Sequence, residues 1–236
     1  MLAIYRKELN IFLNSLEGWF AMMFFLSVSG LTIFFIPSSL NLFQNNQADL
    51  STFFLITPWI FLILIPSITM KLINGETNLK TISILLTKPI TSWDIIIGKY
   101  LASKTIGILS TLPTLFYAYT IYQISEPQGN IDLGKHISSY IGVVLIISSY
   151  SAIGIFCSSI SKNTMISFLI TIITILLLFF GLEMIGHIYD LYILEYLSMH
   201  YHYKSISRGI IDSRDIIYFI SITLVFLFLS KEMIRK

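Results

Sequence analysis

The sequence predicts an all-α membrane protein with six transmembrane helices. Of its 236 residues, 55% are hydrophobic and only 12% are charged, a composition outside the range of soluble globular domains. Five apolar runs carry no charged residue and reach the roughly 18 to 20 residues that a bilayer core requires. The basic residues are spread over several connections and the net charge is only +2, so nucleic acid is not an expected partner.

The first residues predict an amphipathic elbow helix over 1–17. The apolar face of this helix consists of Leu2, Tyr5, Leu9, Phe12, Leu13 and Leu16 at helical spacing. Arg6, Lys7 and Asn10 lie on the opposite, polar face. We expect the helix to lie along the cytoplasmic surface of the membrane, either as a plain anchor or as a docking element for a partner.

The predicted spans form a single transmembrane domain over 1–236. They are 19–36, 53–70, 105–124, 137–160, 165–182 and 216–230. The sixth has 15 residues and would cover only about 22 Å of a hydrocarbon core of roughly 30 Å. We therefore expect it to need shielding by a neighbouring segment. Cys157, the single cysteine, lies in the fourth run and is assigned to core packing, which excludes an internal disulfide.

The distribution of basic residues predicts the topology. Eleven of the 15 lysines and arginines lie on the side of the membrane that holds both termini, and four lie on the other side. Basic residues concentrate on the cytoplasmic side of membrane proteins. Both termini and the connection 71–104 are therefore expected in the cytoplasm, and the connection 183–215 outside it.

The cytoplasmic loop 71–104 contains a short amphipathic helix. Leu79, Ile82, Leu85 and Leu86 recur at helical spacing, and Pro89 stops the pattern. Two interpretations remain open from the residues alone. The helix docks a soluble motor, or it lies on the membrane surface and is held by lipid headgroups.

The outer connection 183–215 predicts an interfacial or re-entrant helix followed by a charged cap. The cap candidates are Arg208, Asp212, Arg214 and Asp215. Arg208 and Asp212 are spaced to pair on a helix, and Asp215 lies beside Arg214. His200 and His202 are two residues apart and no third ligand follows at a suitable spacing, so we interpret them as surface histidines. No metal ligand is assigned.

Several catalytic patterns are missing from the sequence. There is no G-x-x-x-x-G-K-[ST] phosphate loop, so the chain is not expected to bind and hydrolyse ATP in that way by itself. There is no H-E-x-x-H or G-x-S-x-G either, which argues against an intramembrane protease or esterase. An intramembrane enzyme is the disfavoured alternative, and no catalytic residue or resident cofactor is assigned.

The layout resembles the ABC-2 type permeases, which have six spans, an N-terminal elbow helix and a cytoplasmic coupling loop. Within that family, LLTKPITSWDIIIGKYLASK and HYKSISRGIIDSRDIIYF are most similar to the permease subunits of gliding-motility ABC transporters. The resemblance implies a non-enzymatic subunit in a bacterial inner membrane. It implies an ABC ATPase subunit that uses ATP and magnesium, an auxiliary membrane subunit of the gliding-motility complex, and a homodimer or heterodimer surrounded by membrane lipids.

The same resemblance implies where the ATPase couples to the loop. The coupling candidates are Glu76, Leu79, Ile82, Leu85, Leu86, Lys88, Pro89, Asp94 and Lys99. Gly75, Lys80 and Ser83 stand where the family pattern has an acid, a glycine and a glutamate, so the charge pattern that faces the ATPase is altered. A permease for metal-enzyme or haem maturation is the alternative within the family, and His200 and His202 are the residues that suggest it.

Overall fold

The computed structural model of the chain describes residues 1–36, 49–78, 91–125, 129 and 131–234. Every regular element in these ranges is a helix, and six helices are long and apolar enough to cross a membrane. The predicted fold class is therefore confirmed. The coupling candidates Leu79, Ile82, Leu85, Leu86, Lys88 and Pro89 lie outside the described residues.

The helices follow the chain in this order. They are α1 (Leu2–Leu13), α2 (Leu16–Gly30), α3 (Ser51–Thr69), α4 (Asn74–Asn78), α5 (Ser92–Thr111), α6 (Leu115–Ile124), α7 (Leu133–Ile160), α8 (Thr164–Leu176), α9 (Leu182–Tyr189), α10 (Tyr192–Tyr196), α11 (Met199–Ser207) and α12 (Ser213–Ile234). A π-helical turn, Leu31–Phe35, extends α2, and another, Leu177–Gly181, joins α8 to α9. A 3-10 turn, Leu112–Thr114, joins α5 to α6.

The six candidate spans are longer than the apolar runs that predict them. They are Leu16–Phe35, Ser51–Glu76, Ser92–Ile124, Leu133–Ile160, Thr164–Tyr189 and Ser213–Met233. We call the end of the bundle that carries α1 and α4 the elbow end, and the end that carries α10 and α11 the cap end. The end of α12 also lies at the elbow end, because the Lys231 ammonium is 5.2 Å from the centre of the Trp93 ring at the start of α5.

The fourth span, α7, is the centre of the bundle. It contacts α3, α5, α8, α11 and α12. Of the residues in its most apolar 18-residue stretch, 78% are buried. Small residues make these contacts possible, because a Cβ atom at Gly154 would lie 2.1 Å from the hydroxyl of Thr69. Ser149 is fully buried and its hydroxyl lies 3.3 Å from that of Thr223 on α12. The small residues of this span therefore serve helix packing within the chain.

The expectation that the last span is too short is wrong. The helix α12 has 22 residues, which corresponds to about 33 Å at 1.5 Å per residue. It begins three residues before the apolar run and continues past Lys231. Counting only uncharged residues underestimated its length, because the charged ends remain helical and Asp215 is buried against His202.

A proline in the second span explains one contact between α3 and the cap end. Pro58 lacks an N–H group, so the carbonyl of Phe54, four residues earlier, has no helical donor. The hydroxyl of Tyr203 on α11 donates to this carbonyl at 2.6 Å. Tyr203 is buried, and burial raises its pKa, so the hydroxyl stays neutral and remains a donor. The structure thus replaces the lost backbone bond with a side chain 149 residues away.

We predict that Tyr203→Phe lowers the free energy of unfolding by about 1 to 3 kcal/mol, because it leaves the buried Phe54 carbonyl without a donor. Thermal unfolding in detergent measures the loss. Pro58→Ala restores the N–H group. Tyr203→Phe should therefore cost less stability in the Pro58→Ala background than in the unmodified chain. Equal losses from Tyr203→Phe in both backgrounds would show that the hydrogen bond does not replace the missing donor.

Candidate functional site

The candidate site is a cluster of charged side chains at the elbow end, which we call the elbow junction: Lys7, Glu8, Glu76 and Lys99. At its centre is the Lys99 side chain, which is 0% exposed. Its ammonium lies 2.8 Å from Glu8 and 2.9 Å from Glu76, and it donates to the carbonyl of Leu72 at 2.6 Å. The contacts with Glu8 and the Leu72 carbonyl are hydrogen bonds, and the contact with Glu76 is an ion pair.

Lys7 extends the junction to the surface. Its ammonium donates to the second carboxylate oxygen of Glu76 at 2.7 Å and lies 3.5 Å from Glu8. Burial lowers the pKa of Lys7, but the hydrogen bond and the negative charge of Glu76 outweigh that effect and raise the pKa overall. Two lysines and two glutamates thus alternate in a cluster with no net charge, which limits the cost of burying them.

The helix α1 brings Lys7 and Glu8 to the junction by lying against α5. A glycine permits this close approach, because a Cβ atom at Gly98 would lie 3.1 Å from the Ile4 side chain and from the Met1 carbonyl. The hydroxyls of Tyr5 and Thr105 are 3.2 Å apart along the same contact. The buried face of α1 contains Ile4 and Glu8. It differs from the predicted apolar face, in which Leu2 and Leu16 are strongly exposed.

Glu76 is positioned by contacts between α4 and the end of α7. The hydroxyl of Ser158 accepts hydrogen bonds from the backbone N–H groups of Ile73 and Asn74, each at 3.2 Å. The side-chain amide of Asn74 donates to the Ser161 carbonyl at 2.8 Å. The chain that enters the loop is therefore held on the central helix before it reaches Glu76.

Asp94 is at the other side of the loop, where α5 begins. It forms a reciprocal capping box with Thr91, in which each side chain accepts from the backbone of the other residue. Its second oxygen lies 3.4 Å from the N-terminal amine of Met1. The structure therefore gives Asp94 two structural contacts, one with its own helix and one with α1.

A cavity of about 430 Å³ lies beside the elbow junction, between α1, α3 and α5. Its apolar wall includes Phe12, Ile68 and Ile106. Lys71 and Glu17 lie on its rim, and the lysine ammonium is 2.6 and 2.8 Å from the two carboxylate oxygens. This second ion pair joins the start of the first span to the end of the second.

Of the predicted coupling residues that the structure describes, it brings Glu76 and Lys99 into direct contact and places Asp94 at the start of α5. Sequence reasoning missed Lys7 and Glu8 as members of the site. One sequence feature could have found Glu8, because it lies four residues after Ile4 and four before Phe12. It is therefore an acid within an apolar helical stripe.

The cap end contains a second charged region. His202 is 1% exposed, with one ring nitrogen 2.7 Å from Asp215 and the other 2.8 Å from the Tyr196 carbonyl. Its ring stacks on Tyr218 at 3.9 Å between centroids. The interpretation of His202 as a surface histidine is therefore wrong. Each ring nitrogen therefore lies within hydrogen-bond distance of an oxygen.

The predicted pairing of the cap residues is also wrong. Arg208 is the C-cap residue that follows α11, and the next residue, Gly209, has a φ angle of +97°. Arg208 and Asp212 therefore do not share a helix. Asp212 instead accepts from the backbone N–H of Arg214 at 2.9 Å, at the start of α12. Asp215 pairs with His202 and makes no ion pair with Arg214 within the described ranges.

The remaining histidines of this region also lie close to acids. The His200 ring is 2.5 Å from Glu183, and the His187 ring is 2.9 Å from Glu195. Glu183, at the end of the fifth apolar run, thus has a specific partner. In the part of the chain that the structure describes, no group of three or more potential ligands has the geometry of a metal site.

The described residues form a multi-pass helical membrane domain whose N-terminal helix is joined by ion pairs to Glu76 and Lys99. The family model for ABC-2 family transporter proteins matches residues 2–234, and the chain belongs to that family. It is similar to the ABC transporter permease protein NatB of Bacillus subtilis (strain 168), with 25% identity over 163 residues. That similarity covers 64% of this chain and 42% of the length of NatB.

We predict that Lys99→Ala destabilises the protein by about 3 to 5 kcal/mol, because it breaks a buried ion pair and leaves Glu8 and Glu76 with the more exposed Lys7 as their remaining cation. Thermal unfolding of the purified chain in detergent measures the effect. Lys104→Ala is the matched control, since Lys104 is on the same helix and makes no ion pair with any described residue. The structure would be contradicted if the two variants unfolded at the same temperature.

Proposed function

We propose that this chain is the transmembrane subunit of a bacterial ABC transporter and that a separate ATPase subunit drives it. The ATPase would hydrolyse ATP with magnesium and dock at the elbow end, on the loop between α4 and α5. Family membership supports the need for an ATPase partner. The elbow junction is the observation that supports the place of docking.

The junction joins both sides of that loop to α1. Glu76 lies just before the loop and Lys99 lies two turns into the helix that follows it. Their 2.9 Å ion pair, together with the contact of Lys99 with Glu8, closes a triangle between α4, α5 and α1. A force applied to the loop would then move α1 and the third span together. We infer that this is how ATP-driven motion enters the membrane domain.

We predict that Leu85→Asp combined with Leu86→Asp abolishes association with the ATPase subunit. Each substitution places a charge where burial of a leucine contributes about 1.5 to 3 kcal/mol. Co-purification and stimulation of ATP hydrolysis are the measurements. Ile211→Asp is the control, because Ile211 is 50% exposed at the cap end. If the complex and its ATPase stimulation survive the double substitution, this loop is not the docking site.

We propose that the elbow end faces the cytoplasm, because the sequence segments assigned to the cytoplasmic side carry eleven of the 15 basic residues. The expected result is that cysteines introduced at Asn78 and Ser92 in a Cys157→Ser background react with an impermeant thiol reagent only after the membrane is opened. Cysteine at Ile211 should react in intact cells. The reverse pattern would invert the topology and place the docking loop on the wrong side for an ATPase.

We further propose that the complex belongs to a gliding-motility machine in the inner membrane, with an auxiliary membrane subunit and a dimeric membrane domain. The support is the sequence resemblance of the segments at 85–104 and 202–219. Purification of the tagged chain in mild detergent, with identification of the associated proteins, tests this. Recovery of an ATPase without an auxiliary membrane subunit would still support a transporter but would overturn the motility assignment.

A further inference from the structure

A cavity of about 450 Å³ lies at the cap end, between α9, α10, α11 and the start of α12. This volume is within the range of small-molecule sites, about 300 to 1,000 Å³. Three cationic side chains line it: Lys204, Arg208 and Arg214. All three residues are exposed, and none makes an ion pair with any residue in the described ranges.

The acids of the same cavity wall already have partners. Each of the three glutamate or aspartate side chains from α9, α10 and α12 lies 2.5 to 2.9 Å from a histidine ring nitrogen: Glu183 from His200, Glu195 from His187, and Asp215 from His202. The fourth acid, Asp212, accepts from the backbone N–H of Arg214. Each of these acids therefore lies close to another donor, whereas Lys204, Arg208 and Arg214 make no ion pair with any described residue.

Two of the three cations are close enough along the chain to repel each other. Lys204 and Arg208 are four residues apart at the end of α11, and like charges at this spacing on a helix repel each other. Arg214 is in the first turn of α12 and lines the same cavity. An anion between them would remove the repulsion and accept hydrogen bonds from all three side chains.

We propose that this cavity binds a phosphate group. Arginine presents paired N–H donors that match the oxygens of phosphate, and lysine adds a point charge, so the set suits an anion with several oxygens. Ile210, which is 62% exposed, lines the same cavity and gives it an apolar side. The phosphate belongs either to the headgroup of a membrane lipid or to a soluble ion, and the two sources can be separated by experiment.

The test uses the full-length chain, purified in detergent, and follows its thermal unfolding. In one arm, phosphatidylglycerol is titrated and compared with a phosphate-free glucosyl diacylglycerol of the same chain length. In the other, inorganic phosphate is compared with chloride at equal ionic strength. We expect phosphate-bearing probes to raise the midpoint of unfolding in a saturable way. Stabilisation by the lipid alone identifies a headgroup site, and stabilisation by inorganic phosphate identifies a site for a soluble ion.

The variant Lys204→Gln/Arg208→Gln/Arg214→Gln should weaken binding by at least about tenfold, because it removes three charged hydrogen-bond donors. Size-exclusion chromatography shows whether it is folded.

The matched control removes three lysines elsewhere, Lys104→Gln/Lys162→Gln/Lys231→Gln, and should keep the affinity of the unmodified chain. Equal weakening in the two triple variants would mean that only net charge matters and would overturn the proposal. If neither phosphate-bearing probe stabilises the unmodified chain, the site does not exist, whether or not the variant folds.

Discussion

The buried ammonium of Lys99 is the charge on which the elbow end of the bundle depends. A lysine side chain with no exposed surface must have acceptors for its three N–H groups, because an unpaired charge in a protein interior costs several kcal/mol. The helix that carries it supplies none of them. They come from Glu8 on α1, Glu76 on α4 and the Leu72 carbonyl, so all three segments must meet at one point.

This constraint explains why the N-terminal helix is part of the structure. Most of the exposed side chains of α1 are apolar or basic, and a helix of that composition could lie on a membrane surface in many orientations. Contact of Glu8 with Lys99 selects one orientation, and Gly98 allows the close approach that the contact requires. Buried ion pairs are a poor source of net stability but can determine a unique arrangement. We infer that the elbow junction has this second role.

The spans were predictable because the membrane imposes a local rule, about 20 consecutive apolar residues, that can be observed in the sequence. The contacts between spans follow no local rule. Lys99 and Glu8 are 91 residues apart, and Tyr203 and Phe54 are 149 apart.

The errors at the cap end have the same origin. The pairing of Arg208 with Asp212 assumed one continuous helix, which Gly209 interrupts, and the burial of His202 results from helices that only the fold brings together. Pro58 removes a backbone donor from α3, but the sequence does not indicate which side chain replaces it.

A double-mutant cycle between Glu8→Gln and Lys99→Met, measured by unfolding in detergent, tests the central role of the junction most directly. If the two side chains form a buried pair, the second substitution should cost much less once the first has been made. The coupling energy should then be about 0.5 to 3 kcal/mol. Additive losses would contradict the account, because they would show that α1 is held in place without the Lys99 ion pair.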